Sequence, residues 1–170
     1  MSMTDLVFGS VYRIATAVLV LAVAVILGAL AFEHVGGYAP CPLCLQQRYA
    51  YYVAIPALLV ALWLVGRGHR GLATLLFTVI AALFLANAAF AAYHAGAEWK
   101  LWPGPDTCAA TDPGLAAGGG GLLKDLETTH VVRCDEPALR IFGLSLAGWN
   151  VIVCLMLAAG AAAAASAARR

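Results

Sequence analysis

Four long apolar stretches that contain no charged residue constrain this chain more than any other feature. Each approaches the roughly 20 residues that a helix needs to cross the hydrocarbon core of a bilayer. The alternating polarity of membrane β-strands is absent, so these stretches predict an all-α integral membrane protein. They lie at residues 14–32, 49–65, 71–93 and 141–168.

The composition excludes several classes of protein. Hydrophobic residues make up 63% of the 170 residues and charged residues only 11%, whereas average soluble domains have about 45–50% and 25%. Too little polar surface remains for a water-soluble enzyme of this size. The net charge of +1, with no basic face to follow a phosphate backbone, also excludes a nucleic-acid binder.

The spans predict one domain, residues 1–170, folded as a four-helix transmembrane bundle. The first span is longer than the apolar core of a signal peptide, so we expect it to be retained. The tight basic segment around Arg67 and Arg70 favours cytoplasmic termini by the positive-inside rule. We place the spans at about 12–33, 45–65, 71–94 and 145–166, with extracytoplasmic loops at about 34–44 and, between helices 3 and 4, a long loop at about 95–144.

Four of the five cysteines fall on the extracytoplasmic side in this topology. A shared position outside the cytoplasm indicates an oxidising compartment, in which disulfides form and persist. Cys154 instead lies in the middle of the last span, where a lone cysteine behaves as a small apolar residue. The four outer cysteines are Cys41, Cys44, Cys108 and Cys134.

The spacing Cys41-Pro42-Leu43-Cys44 is a CxxC motif, which serves zinc, haem or redox chemistry. A c-type haem site would require histidine at position 45, where this chain has leucine. A zinc site with four cysteine ligands or two structural disulfides remain as alternatives, although Cys108 and Cys134 are too far apart in sequence to form a typical zinc knuckle. A CxxC disulfide closes a very short loop and stabilises little, so the motif favours a reactive bond.

The residues around the motif also favour redox chemistry. The motif stands at the start of a helix, where unpaired N–H groups and the helix dipole stabilise a thiolate. Arg48 follows Cys44 by four positions and shares its helix face, so its guanidinium can approach the sulfur. An arginine inside the membrane boundary is costly and often functional, the alternative being a side chain that snorkels to the headgroups.

Four segments together resemble the DsbB family of disulfide bond formation proteins, which are quinone reductases of the bacterial inner membrane. The resemblance covers most of the chain and is specific at the cysteines. The family's CxxC precedes its loop cysteines, as here, whereas the related vitamin-K-epoxide-reductase-like enzymes have their CxxC late in the bundle. The segments are PCPLCLQQRY at 40–49, WPGPDTC at 102–108, VRCD at 132–135 and GLSLAGWN at 143–150.

The resemblance implies a two-stage relay of electrons. A periplasmic DsbA-type thioredoxin-fold oxidase would attack Cys108 of a Cys108–Cys134 disulfide, and the electrons would pass to Cys41–Cys44, with Cys41 pairing transiently with Cys134. Cys44, as thiolate, would then donate to a quinone bound beside Arg48. Ubiquinone is the expected acceptor and menaquinone the alternative. His94, at the end of the third span, either contributes to the quinone pocket or is an ordinary interfacial histidine.

Overall fold

The protein is a bundle of four long helices, and the computed structural model describes residues 3–104 and 134–169. Each helix is long and apolar enough to cross a bilayer, which confirms the predicted four-helix membrane bundle. The predicted long loop between the last two helices lies mostly outside the described residues. In chain order the helices are α1 (Met3–His34), α2 (Pro42–Gly66), α3 (Arg70–Glu98) and α4 (Leu146–Arg169).

The residues at the N-terminus of α2 determine where this helix begins. Cys41 is the N-cap, with an extended backbone, and its sulfur accepts a hydrogen bond from the Cys44 backbone N–H at 3.3 Å. Pro42 takes the first helical position, where its missing N–H costs nothing because that group has no partner inside the helix. The helix therefore begins at Pro42, and the CxxC motif forms its N-cap and first turn.

A short antiparallel hairpin, which the sequence analysis did not predict, leads directly into α4. Its strands are β1 (Arg140–Ile141) and β2 (Leu144–Ser145). The two residues between them both have positive φ, 52° at Phe142 and 82° at Gly143. Two consecutive residues of this kind are typical of a type I′ turn, whose twist matches that of the paired strands. The hairpin thus turns the chain back toward the bundle immediately before α4.

Small and aromatic side chains fill the centre of the bundle. The fully buried rings of Phe77 and Phe84 come from α3, whereas the buried face of α4 consists mainly of alanine. Because alanine projects little from a helix, the backbones of neighbouring helices can approach closely, as is common in membrane bundles. A Cβ atom placed on Gly160 of α4 would lie only 2.5 Å from Val18 Cγ2 of α1.

Candidate active site

Two free cysteines lie together at the N-terminal end of α2. The sulfur atoms of Cys41 and Cys44 are 3.0 Å apart, so one thiol can donate a hydrogen bond to the other sulfur. Cys41 is buried, and Cys44 is partly exposed. At a helix N-terminus the unpaired N–H groups favour a negative charge on such a sulfur. The motif therefore has the local setting that a reactive dithiol requires.

A buried histidine from α3 faces the first of these sulfurs. His94 Nε2 is 3.6 Å from Cys41 Sγ, and His94 Nδ1 is 2.9 Å from Gln47 Nε2. The orientation of the Gln47 amide is set by its oxygen, because Gln47 Oε1 accepts a hydrogen bond from Asn150 Nδ2 at 2.6 Å. Gln47 therefore donates to Nδ1, so in the neutral ring Nε2 carries the proton and directs it toward the Cys41 sulfur.

The pKa of Cys41 is lowered from 9.0 to about 5. The largest cause is the hydrogen bond from Cys44; burial opposes it, and the hydrogen bond and charge of His94 lower the pKa further. In the dithiol form Cys41 is therefore mainly a thiolate at neutral pH. The stabilising groups converge on Cys41 because it is the N-cap and faces His94. The expected role of Cys44 as the thiolate that donates to a quinone stays a prediction.

Arg48 lies on α2 one turn after Cys44, and its guanidinium forms an ion pair with Glu33 near the end of α1. The two side chains are only 12% and 25% exposed, respectively. This pairing reduces the cost of placing an arginine inside the membrane boundary. Glu33 was not predicted as a site residue, although its position directly after a charge-free stretch was an available signal.

A cavity of about 330 Å³ is lined by four of the predicted site residues, Cys41, Cys44, Arg48 and His94, but not by Cys134. Most of its wall is apolar, with side chains from α1, α2 and α4 that include Ile26, Phe32 and Val153. A mainly apolar cavity with a few polar groups is typical of a small-molecule site. The polar and reactive side chains that line it are Cys41, Cys44, Gln47, Arg48, Tyr51, His94, Glu98, Glu136, Trp149 and Asn150.

A third outer cysteine lies next to the CxxC motif. Cys134 is buried, is in a disulfide, and packs in one cluster with Cys41 and Leu43. Cys41, Cys44 and Cys154 are free thiols. Cys108, the remaining predicted site residue, lies outside the described residues. The structure thus places Cys134, from the far end of the long loop, against the first cysteine of the motif.

A buried network of polar side chains continues from the site into the bundle. Tyr51 donates a hydrogen bond to Asn150 Oδ1 at 2.6 Å, and its hydroxyl is also 3.4 Å from Cys154 Sγ. Asn87 donates to the same sulfur at 3.3 Å. Cys154 is therefore more than a small apolar filler, because its sulfur is a hydrogen-bond partner for side chains on two other helices.

The dithiol and His94 could also hold a metal ion in one redox state. The ligand atoms of Cys41, Cys44 and His94 all lie within 4.8 Å of one another. Thiolate and imidazole ligands suit zinc, but a disulfide offers no thiolate. Metal binding here would therefore exclude an oxidised CxxC motif.

Comparisons with known proteins agree on one family. The family described as "Disulfide bond formation protein DsbB" matches residues 12–164. Disulfide bond formation protein B 1 of Pseudomonas savastanoi pv. phaseolicola is 33% identical over 142 residues, which cover 82% of this chain and 80% of the relative. Disulfide bond formation protein B of Aromatoleum aromaticum is 32% identical over 131 residues, which cover 75% of each chain.

Two further results complete the comparison. An uncharacterized protein of Rickettsia prowazekii is 25% identical over 133 residues, which cover 75% of this chain and 73% of that protein. No solved structure matches the chain. The family match includes the CxxC motif, both loop cysteines and most of the length of each of the four helices. This chain therefore belongs to the DsbB family and is a multi-pass membrane oxidoreductase of disulfide bond formation.

Proposed function

We propose that the protein oxidises a DsbA-type thioredoxin-fold protein in the periplasm and passes the electrons through two cysteine pairs to a membrane quinone. The observation that supports this most directly is the position of Cys41 and Cys44 at the edge of a mainly apolar cavity that also contains Arg48. A purely structural cysteine pair would need neither the cavity nor the buried arginine. Ubiquinone is the expected acceptor, with menaquinone as the alternative.

The residues around the cavity fit a quinone. When bound, a quinone supplies an acceptor for two electrons and two protons. The apolar side chains from α1 and α4 would exclude water and contact an aromatic ring or an isoprenoid tail. Arg48, held by Glu33, contributes positive charge and N–H donors to a site where negative charge increases during reduction. His94 and Gln47 contribute polar atoms to the same wall.

The contacts of Cys41 support a definite order of sulfur exchange. The partner's thiolate would attack Cys108, forming a mixed disulfide and releasing Cys134 as a thiolate. The partner's second thiolate would then attack the partner sulfur of the mixed disulfide, releasing the oxidised partner and Cys108 as a thiolate. Cys134, which packs against Cys41, would then attack that sulfur. The Cys41–Cys44 bond breaks, a Cys41–Cys134 bond forms, and Cys44 leaves as a thiolate beside the cavity. The Cys108 thiolate would later attack Cys134, re-forming the Cys108–Cys134 bond and releasing Cys41. The lowered pKa of Cys41 makes it a good leaving group in this step, since thiols of lower pKa leave faster. The Cys41–Cys44 dithiol can then give two electrons to a quinone and return to the disulfide.

We place this chemistry on the periplasmic side of the bacterial inner membrane, with both termini in the cytoplasm. The short basic connection between α2 and α3, which includes Arg67 and precedes Arg70, supports this orientation through the positive-inside rule. The CxxC motif and Cys134 lie at the opposite end of the bundle from that connection. They would then share the compartment in which disulfides are made.

The rival function is a four-span membrane protein that uses its cysteines structurally, in disulfides or in a zinc site with four cysteine ligands. A zinc site of that kind would need all four outer cysteines as thiolates, whereas Cys134 is in a disulfide. Structural disulfides alone would not explain the mainly apolar cavity that Cys41, Cys44 and Arg48 line. Stoichiometric zinc retained after purification under non-reducing conditions would favour the rival.

The test is anaerobic mixing of the purified protein with a short-chain quinone and a reduced thioredoxin-fold partner. We expect one quinol for each partner molecule oxidised, followed by quinone absorbance and by thiol titration. Cys44→Ala should abolish quinol formation. Cys154→Ala, which removes a free cysteine deep in the bundle, should preserve it and serves as the matched control. Absence of quinol with the wild-type protein would contradict the proposed function.

A further inference from the structure

The proposed electron path leaves the protons without a route. Each exchange between a thiolate and a disulfide moves two electrons but carries no proton along the chain of sulfurs. The protons of the partner's thiols are released at the aqueous surface, whereas a quinone needs two protons inside the cavity beside Cys44. If the proposed function is correct, protons must therefore enter this inner cavity by a separate path.

One buried carboxyl group lies between the inner cavity and the outside. Glu98, the last residue of α3, is only 7% exposed, yet it lines the inner cavity. It also lines a second, more polar cavity at the end of α3, which includes Lys100, Asp135 and Arg140. We call this second cavity the outer cavity. Glu98 is thus a buried ionisable group that borders both compartments.

The contacts of Glu98 suit a group that changes its protonation state. Its Oε1 is 3.8 Å from His94 Nε2, the same nitrogen that faces Cys41. The carboxyl group also has a hydrogen bond with the buried Ser145 side chain, whereas Oε2 is buried and makes no hydrogen bond to any described residue. A buried carboxylate oxygen without a partner is costly, so such a group in a native structure often has a functional role. A protonated carboxyl group reduces this cost and can then donate the proton.

We propose that Glu98 carries protons from the outer cavity to the inner cavity. In each cycle the carboxylate takes one proton from water in the outer cavity, and the carboxylic acid releases that proton into the inner cavity. Two cycles supply the two protons that accompany the two electrons delivered through the cysteines, so charge and protons balance. His94 interacts with the carboxylate through Nε2 while the proton is absent and keeps the group in place.

The charged groups around Glu98 come from each segment packed against it. His94 lies one turn earlier on α3, Cys41 lies at the start of α2, and Arg140 lies on β1. Glu136 also borders both cavities, but its side chain is exposed. An exposed carboxylate exchanges protons with bulk water and cannot separate the two cavities. Of the two carboxyl groups that border both cavities, only Glu98 is buried, so Glu98 is the candidate for carrying protons between them.

The first experiment compares substitutions in the quinone-reduction assay. Glu98→Gln preserves size but cannot carry a proton, and it should slow quinol formation by about tenfold or more, since a positioned acid or base contributes on the order of 10²–10⁴ in rate. Small weak acids such as formic acid or imidazolium should restore part of the rate. Glu98→Asp should retain more activity than Glu98→Gln. Asp135→Asn removes the ion-pair partner of Lys100 in the outer cavity, and it should retain more activity than Glu98→Gln, because Asp135 does not border the inner cavity.

The second experiment needs no quinone. Infrared difference spectra between the disulfide and dithiol forms of the quinone-free protein report the C=O stretch of protonated carboxylic acids. Reduction converts a neutral disulfide into a pair with a negative sulfur near His94, so we expect a carboxylic acid band to change. The band should be absent in Glu98→Gln and unchanged in Asp135→Asn.

The outcomes separate this inference from the proposed function. If the wild-type protein forms no quinol, the proposed function fails, whatever Glu98 does. If the wild-type protein is active and Glu98→Gln is equally active, the proton path through Glu98 is wrong. If Glu98→Gln slows quinol formation, small acids do not restore the rate and the carboxylic acid band is the same as in the wild-type protein, Glu98 has a structural role only. If Glu136→Gln instead slows quinol formation and small weak acids restore the rate, protons enter the inner cavity through Glu136 and not through Glu98.

Discussion

At Cys41 several independent groups act on one sulfur atom. The position at the N-cap supplies a backbone N–H donor, the Cys44 thiol supplies a second donor, and His94 supplies a third from another helix. Hydrogen bonds to a charged sulfur are stronger than neutral ones, so their combined effect exceeds the cost of burial. The lowered pKa of Cys41 is the result, and it is testable without any partner or acceptor.

In the reduced protein, Cys41 should react with iodoacetamide down to about pH 5. The pKa of Cys41 is lowered to about 5, so the thiolate is present above that pH and is lost as the pH falls through it. Cys44→Ala removes the largest stabilising contact and should move the midpoint upward. Mass spectrometry of the labelled peptide gives the rate for this cysteine alone. Cys154→Ala should leave the midpoint unchanged, and a wild-type midpoint near 9 would refute the assignment.

Substitution of Arg48 should separate the two halves of the reaction. Arg48→Met retains much of the side-chain volume but removes the charge and the N–H donors, so quinone reduction should fall by about 10²-fold, the usual loss for a donor to a developing negative charge. Disulfide exchange with the reduced partner should remain near the wild-type rate. Glu33→Gln keeps the guanidinium but weakens its anchor, and should cause a smaller loss. Equal loss of both half-reactions in Arg48→Met would contradict the assigned role.

Sequence reasoning named the cysteines and the arginine that line the cavity, but not the side chains that contact them. Cys41, Cys44 and Arg48 were identified because their spacing places them within about two helical turns of each other. Gln47 and Glu33 were missed because their partners lie on other helices, and helix packing is not encoded in local spacing. Glu98 could have been found, because it follows His94 by four positions and so shares its helix face.

At the scale of elements, length decided what could be predicted. The four helices contain long charge-free stretches, and a long apolar stretch has few other structures available in a bilayer. The hairpin before α4 has strands of only two residues each, which are too short to show alternating polarity. It is held instead by a contact from the helix that follows, because the Trp149 indole N–H donates to the Ile141 carbonyl at 2.9 Å.

The packing of Trp102 against the end of α3 can be tested by substitution. Trp102 folds back along this helix, stacks on Tyr93 with ring centroids 5.8 Å apart, and donates to the Tyr93 carbonyl at 2.9 Å. A Cβ atom on Gly96 would overlap the Trp102 ring. Gly96→Ala should therefore displace the ring and destabilise the protein by about 1–3 kcal/mol, as overpacking usually does.

Thermal unfolding in detergent measures this effect, with Gly71→Ala as the matched control on the same helix. A Cβ atom on Gly71 meets no other atom within 4 Å. That substitution should leave the melting temperature unchanged or raise it slightly, because alanine reduces the entropy of the unfolded chain. If both substitutions had the same effect, Trp102 would not be packed against Gly96.

At the scale of the whole molecule, the bundle brings distant parts of the chain to one end. Cys41 begins α2, His94 lies near the end of α3, and Cys134 precedes α4, yet all three lie beside the same cavity or cluster. Antiparallel neighbours in a four-helix bundle make this meeting possible, because the start of α2, the end of α3 and the start of α4 share one membrane face. The buried cluster of Cys41, Leu43 and Cys134 thus joins the start of α2 to the segment that precedes α4.

This arrangement predicts which disulfide forms when the natural partners are removed. In a variant with Cys44→Ala and Cys108→Ala, three cysteines remain: Cys41, Cys134 and Cys154. Because Cys134 packs against Cys41 whereas Cys154 is held in the bundle by Asn87 and Tyr51, mild oxidation should produce the Cys41–Cys134 disulfide. Peptide mapping under non-reducing conditions identifies the linkage.

Two additional substitutions make that experiment decisive. Adding Cys154→Ala should leave the yield of the linkage unchanged, since this thiol takes no part in it. Adding Cys134→Ala should leave Cys41 reduced, because the dimerisation of a buried thiol would require the bundle to open. If Cys41 in the double variant instead stays reduced or pairs with a second molecule, Cys134 cannot reach it, and electrons would have to enter the CxxC motif directly from the partner protein.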